Sequence, residues 1–124
     1  MQGFKQTIGA APVQILAVVE PQVSFSCLVS DTGVSAGTDG KKVVKAGTPV
    51  KGDLTARQTA FEVAGESDTP IGVLLHDVDV TDGKNNGTCL VFGFVNLERL
   101  DKTTAALITS NVKTALNGKV TFIK

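Results

Sequence analysis

Hydrophobic and polar positions alternate along several short stretches of this chain, and one late stretch shows helical spacing instead. Val23, Phe25, Cys27 and Val29 alternate with Gln22, Ser24, Ser26 and Leu28, which predicts a strand with one buried face. Residues 13–19 form an apolar run of strand length, closed by Glu20-Pro21. Residues 30–40 turn to Gly, Ser, Thr and Asp and predict a surface loop with turn chemistry at Asp39-Gly40. Residues 42–46 predict a short strand that Gly47-Thr48-Pro49 breaks. Asp53 is placed to cap a single helical turn over residues 54–57, after which Thr59, Phe61 and Val63 alternate again. Beyond a polar loop at 65–70, residues 71–75 with Val78 and Val80 predict one strand and residues 88–95 another. Between these two lies a turn at 82–87, in which Asn86-Gly87 is the hairpin signal.

In residues 102–116, which Asp101 precedes, Ala105, Ile108, Val112, Ala115 and Leu116 fall on one face at helical spacing. Asn117-Gly118 supplies the left-handed stop, and Val120 and Phe122 lead a final strand. The sum is an α+β, mostly β, strand-rich single domain with one C-terminal helix at about 101–116, followed by a last strand. Residues 1–12, which contain Gly3 and Gly9 and show no periodicity, are set apart as an extended N-terminal arm on a domain of residues 13–124.

Composition narrows the functional classes. Twelve basic and twelve acidic side chains cancel, and no stretch gathers Lys or Arg into the positive stripe that a phosphate backbone needs, so nucleic acid is not an expected partner. The apolar runs are too short to span a bilayer and the first residues lack a signal-peptide core, so no membrane is expected and the protein is read as made inside the cell. Cys27 and Cys89 sit in apolar runs without metal-ligand spacing; buried free thiols are expected, with a disulfide as the alternative. Tyr and Trp are absent and all six aromatics are Phe, a composition suited to a core.

Three stretches imitate catalytic or metal chemistry. Asp77, Asp79 and Thr81 end an apolar strand as the nucleophile motif of haloacid dehalogenase-type phosphatases does, but that chemistry needs a loop into a helix to cradle the phosphoryl group. After Asp82 only Glu98 and Asp101 remain as carboxylates to hold Mg²⁺. The same residues imitate the first ligands of an EF-hand, but its sixth position is Asp82 where Gly is needed and its twelfth is Thr88 where Glu is needed. Asp77 and Asp79 are therefore expected on the wet face of a strand whose Val78 and Val80 point inward. Asp31-Thr32-Gly33 imitates the catalytic turn of homodimeric aspartic proteases, with Asp31 as the shared acid. Against it, Val34 follows the glycine where Ser or Ala is needed, and neither Arg57 nor Arg99 is preceded by Gly. His76, the single histidine, is expected to be a packed or surface residue. Asn86-Gly87-Thr88 fits a glycosylation acceptor in form and is explained as turn chemistry. No enzyme activity, metal or cofactor is expected.

The segments GKKVVKAGTPVKGDL (40–54), TPIGVLLHDVDVTDGKNNGTCLVFGFVNLERLD (69–101) and KTALNGKVTFIK (113–124), taken in this order, resemble the head decoration, or head fibre, proteins of tailed bacteriophages. The resemblance covers most of the chain from about residue 13 onward. It implies a β-tulip-like fold and a homotrimer. It further implies a place on the outer surface of the virion, with the major capsid protein as partner, after synthesis in the host bacterial cytoplasm. On that reading Phe4, Lys5, Gln6, Thr7 and Ile8 are the candidate capsid contacts, docking as an added strand. The alternatives carried forward are the homodimeric aspartic protease using Asp31 and a virion-displayed adhesin or ligand-binding module.

Overall fold

The computed structural model describes residues 14–18 and 21–124. The expected arm at 1–12, with the candidate contacts from Phe4 to Ile8, lies outside them. The fold is mostly β, with short helical pieces near the C-terminus and a final strand, as the periodicity predicts.

The strands are β1 (Val23–Val29), β2 (Val43–Val44), β3 (Pro49–Lys51), β4 (Glu62–Val63), β5 (Gly72–Leu74), β6 (Val78–Asp79), β7 (Asn85–Asn96) and β8 (Val120–Ile123). Their main sheet runs β1-β7-β5-β3-β4 with antiparallel neighbours, and β8 joins β7 in parallel. Phe61, just ahead of β4, bridges Val29 of β1 in parallel, so the sheet curls until its first and last strands touch. Ser30 N donates to Phe61 O at 2.8 Å, and Phe61 N donates to Leu28 O at 2.8 Å. Cys27, Val29, Val50, Phe61, Leu74 and Cys89 fill the inside of this curl, and Val44, Val78 and Val80 close one end.

A second core lies on the outer face, where Ile15, Leu16, Val73, Leu75, Leu90 and Val95 meet Ile108, Val112, Leu116 and Val120. The β5–β7 pair is thus buried on both faces, which is why residues 71–75 read as a continuous apolar run and not as an alternation. Leu90 and Val95 are five residues apart and would face opposite sides of a regular strand. A register shift opposite Val23 and Ser24, which pairs Val23 with Phe92 and Ser24 with Leu90, inserts the extra residue that lets both enter the outer core.

The structure corrects several expectations. The residue 13–19 run is a single bridge, Leu16 to Val95, within the described part. The residue 71–80 strand is two, β5 and β6, separated by a bend at residues 75–76 and paired in different sheets. Pro49 does not end strand structure but begins β3, where its O still accepts from Ala64 N at 2.9 Å. Around Asp53 there is no helical turn: its carboxylate accepts from Thr55 N at 2.8 Å and Ala56 N donates to Asp53 O at 3.0 Å, a local turn alone. Asn86-Gly87 is not the hairpin tip but lies inside β7, opposite Leu28 and Cys27. The turn is made earlier, where Gly83 N donates to Val80 O at 3.0 Å with Gly83 at φ +114°. The 101–116 helix is interrupted, giving α1 (Lys102–Ala105) and α2 (Ser110–Ala115). Thr109 is extended at φ −83°, ψ 173°, and its hydroxyl accepts from Val112 N, so it caps a new helix and does not continue the old one. Ile108, Val112 and Leu116 still face the core across the break.

Candidate functional site

The Asp77-Val78-Asp79-Val80-Thr81 stretch holds two strands together. Val78 and Val80 are buried and Asp77 and Asp79 are exposed, as the alternation predicts. The two-residue strand β2 pairs with β6, and a ladder that short needs help at its ends. Asp77 Oδ1 accepts from Ala46 N at 2.7 Å at one end, and Thr81 Oγ1 accepts from Lys42 N at 2.9 Å at the other. Asp79 Oδ1 in turn accepts from Thr81 N at 2.9 Å and from Thr81 Oγ1 at 2.6 Å, orienting the hydroxyl. Lys45 Nζ lies 3.8 Å from Asp77. The pattern that imitates a nucleophile is thus a pair of side-chain clamps on β2.

Asp31 lies in the loop after β1. Val34 N donates to Asp31 O at 3.1 Å, closing a turn in which Gly33 takes φ +78°, and Thr32 N donates to Ser30 Oγ at 3.0 Å. The Asp31 side chain is 42% exposed and stands 3.7 Å from Lys42 Nζ, a solvated ion pair with no water-excluding walls. His76 is exposed in the bend between β5 and β6, not paired with Asp77 across a strand. Among the described residues no three His, Cys, Asp or Glu side chains gather to hold a metal ion. None of the helices among them is long and apolar enough to cross a membrane.

Cys27 and Cys89 are buried free thiols. Cys27 pairs with Gly87 and Cys89 with Phe25, so the two sulfurs are diagonal across the β1–β7 ladder and not opposite. Diagonal neighbours stand about 7–8 Å apart, beyond ordinary disulfide reach. Burial pushes Cys89 up to about 12, aided by the neighbouring Cys27, and burial raises Cys27 against the opposing pull of Arg57. Neither thiol is poised as a nucleophile.

An open apolar groove of about 390 Å³ lies between Val34, Val43 and Leu107. Three of its polar neighbours are already engaged: Asp101 accepts from Thr103 N at 3.2 Å, Thr48 Oγ1 donates to Lys45 O at 2.7 Å, and Lys45 pairs with Asp77. The more unusual surface is on the curled sheet beyond the inner core. There Val23 is 45% exposed, Phe25 39% and Phe92 40%, with Val23 directly opposite Phe92 in the ladder. The alternation at 22–29 predicts all four odd positions inward, but the inner core ends at Cys27 and leaves Val23 and Phe25 outside it. Arg57 stacks over Phe25, its Cζ 5.5 Å from the ring centroid, while its Nη1 donates to Ser26 O at 3.2 Å. Sequence reasoning missed this surface because alternation alone does not say where along a strand the covering layer stops.

Three turn aspartates carry a pH response. Hydrogen bonds from the Thr55 hydroxyl and backbone hold Asp53 below its ordinary 3.8, and the equivalent bonds from Thr81 do so for Asp79. The Gly65 N–H, followed by Lys51, does the same for Asp68. A carboxyl whose folded value is depressed stabilises the fold above its unfolded value and loses that contribution as pH falls through the folded one. Stability is therefore expected to fall on the acid side of 3.8, and Asp79→Ala is expected to flatten part of that fall. Urea unfolding followed by circular dichroism at neutral and acid pH checks it; an unchanged slope in Asp79→Ala means the Thr81 bonds are not made in solution.

Comparison with protein-family models and with curated proteins found no match to this chain.

Proposed function

We propose that this protein is a non-enzymatic head decoration protein of a tailed bacteriophage. In this reading it is a homotrimer that binds the outer surface of the mature capsid at three-fold and quasi-three-fold positions and stabilises the shell. The observation that carries the reading is the surface of Val23, Phe25 and Phe92, three large apolar side chains exposed at neighbouring positions of the β1–β7 pair. Adjacent apolar groups of this size are surface that an assembly buries. The order of segments that resembles the decoration family supports the same reading. So does the use of Asp77 and Asp79 to clamp β2.

Ligands that bind the assembled lattice and not its loose subunits stabilise the lattice by mass action. Three joined copies multiply modest contacts into firm attachment. The test combines light scattering of the purified protein with co-sedimentation on expanded and unexpanded capsids. A trimer retained on expanded shells alone is expected, with retention weakened by Val23→Ser plus Phe92→Ser, whose side chains lie outside both cores. A strict monomer or dimer, or equal retention on both shells, overturns the reading. Deleting residues 2–12 tests Phe4, Lys5, Gln6, Thr7 and Ile8 separately: unchanged retention removes the arm as the docking element and leaves the sheet surface as the contact.

A further inference from the structure

The chain contains four Asx-Gly pairs, Asp39-Gly40, Asp82-Gly83, Asn86-Gly87 and Asn117-Gly118, and they differ in one respect that controls their chemistry. An aspartyl or asparaginyl side chain closes to a succinimide when the nitrogen of the following residue attacks its Cγ. Glycine offers that nitrogen without a side chain in the way. A glycine nitrogen held in a hydrogen bond must first be released by local opening.

Gly40 N donates to Gly37 O at 3.0 Å and Gly83 N donates to Val80 O at 3.0 Å. Leu28 O and Ser30 N point outward to Phe61, so the alternate residues Cys27 and Val29 point their backbone groups at β7. Gly87, opposite Cys27, therefore has its N–H in the ladder. Gly118 N has no acceptor among the described residues, whereas its neighbours Asn117 N and Lys119 N donate to Thr114 O and Leu116 O. Both Asn117 and Gly118 are exposed, and apart from its chain neighbours no atom lies within 4 Å of where a Gly118 side chain would begin.

The structure assigns Asn117 as a site of spontaneous deamidation, the one Asx-Gly pair whose attacking nitrogen is free. Gly118 N gives its proton to solvent base and bonds to Asn117 Cγ. The Cγ–Nδ2 bond then breaks, and ammonia leaves with a proton from water. Water next opens the ring at either carbonyl, leaving aspartate or isoaspartate at position 117. The new charge falls at the C-terminal end of α2, where the helix dipole opposes it. Isoaspartate also lengthens the backbone just before Lys119 and Val120, whose bonds to Leu116 O at 2.8 and 3.0 Å aim β8 at β7.

The test is to age the folded protein at mildly alkaline pH and map peptides by mass. Position 117 is expected to convert about tenfold or more faster than position 86, the protection a ladder amide gains from needing to open first. In urea the two rates should converge, because both asparagines are followed by glycine. Asn117→Gln is expected to abolish the dominant acidic variant on ion exchange and leave the rate at Asn86 unchanged. Equal or faster conversion of Asn86 in the folded protein overturns the assignment.

Discussion

Gly72→Ala is expected to lower the melting temperature by about 10 °C, from a loss of about 3 kcal/mol in a domain of this size. Gly72 opens β5 and faces the inside of the curled sheet opposite Val50. A Cβ there would stand 2.3 Å from Leu90 O, 2.8 Å from Cys89 Sγ and 3.1 Å from Leu90 C. The first of these is backbone, so no rotamer change relieves it. Separating β5 from β7 would be the only escape, and Val73, Leu74, Cys89 and Leu90 are all at 0% exposure on the two faces of that pair. Gly37→Ala is the control, since its Cβ would meet only an exposed Asp39 oxygen at 3.3 Å and Lys41 O at 3.7 Å, and a change within about 1 kcal/mol is expected. Thermal unfolding by circular dichroism compares them. If the two variants melt alike, the two-sided burial of β5 is wrong.

That burial was partly legible in the chain itself. The run from Ile71 to Leu75 announces a strand, though not that both its faces are covered, and the alternation of residues 77–80 announces which side is wet. Partners are another matter. Nothing local tells β5 to pair with β7 while β6, beginning after three intervening residues, leaves for β2. The Asn86-Gly87 signal failed for a tertiary reason: Cys27, Leu28 and Val29 need a neighbour, and extending β7 back to Asn85 supplies it, which outweighs the local preference for a turn. The helix break at Thr109 is local but competes with a strong pattern. The apolar face from Ala105 to Leu116 is real, and a hydroxyl that caps Val112 N decides that it is presented in two pieces.

The candidate site was legible as chemistry that does not assemble. Asp77, Asp79 and Thr81 are the right residue types for holding a phosphoryl group or a cation, and they are also the right types for accepting backbone N–H groups at the ends of a short strand. Choosing between these requires knowing that β2 lies alongside, a contact 39 residues away in sequence for the Lys42–Thr81 bond. The exposed surface of Val23, Phe25 and Phe92 was hidden for the converse reason: in sequence it is indistinguishable from core, and only the end of the inner cluster at Cys27 reveals it.

Phe61→Ala is expected to cost about 3–5 kcal/mol, within reach of the whole stability of a small domain. The ring is 1% exposed and is the largest fully buried side chain among the described residues. It fills the curl against Gly52, where even a single added carbon would stand 2.4 Å from Cδ1. The same residue carries the two backbone bonds to Leu28 and Ser30 that join the last strand to the first. Truncation therefore empties the inner core and loosens its closure together. Phe61→Leu, which keeps most of the volume, is expected to cost about 1.5 kcal/mol or less. Chemical denaturation measures both. Amide exchange separates the effects, because Ser30 N and Phe61 N should lose protection in the alanine variant before the β5–β7 amides do. A loss under about 1 kcal/mol for alanine would mean that the curl is held by the β1–β7–β5 core alone and that its closure contributes little.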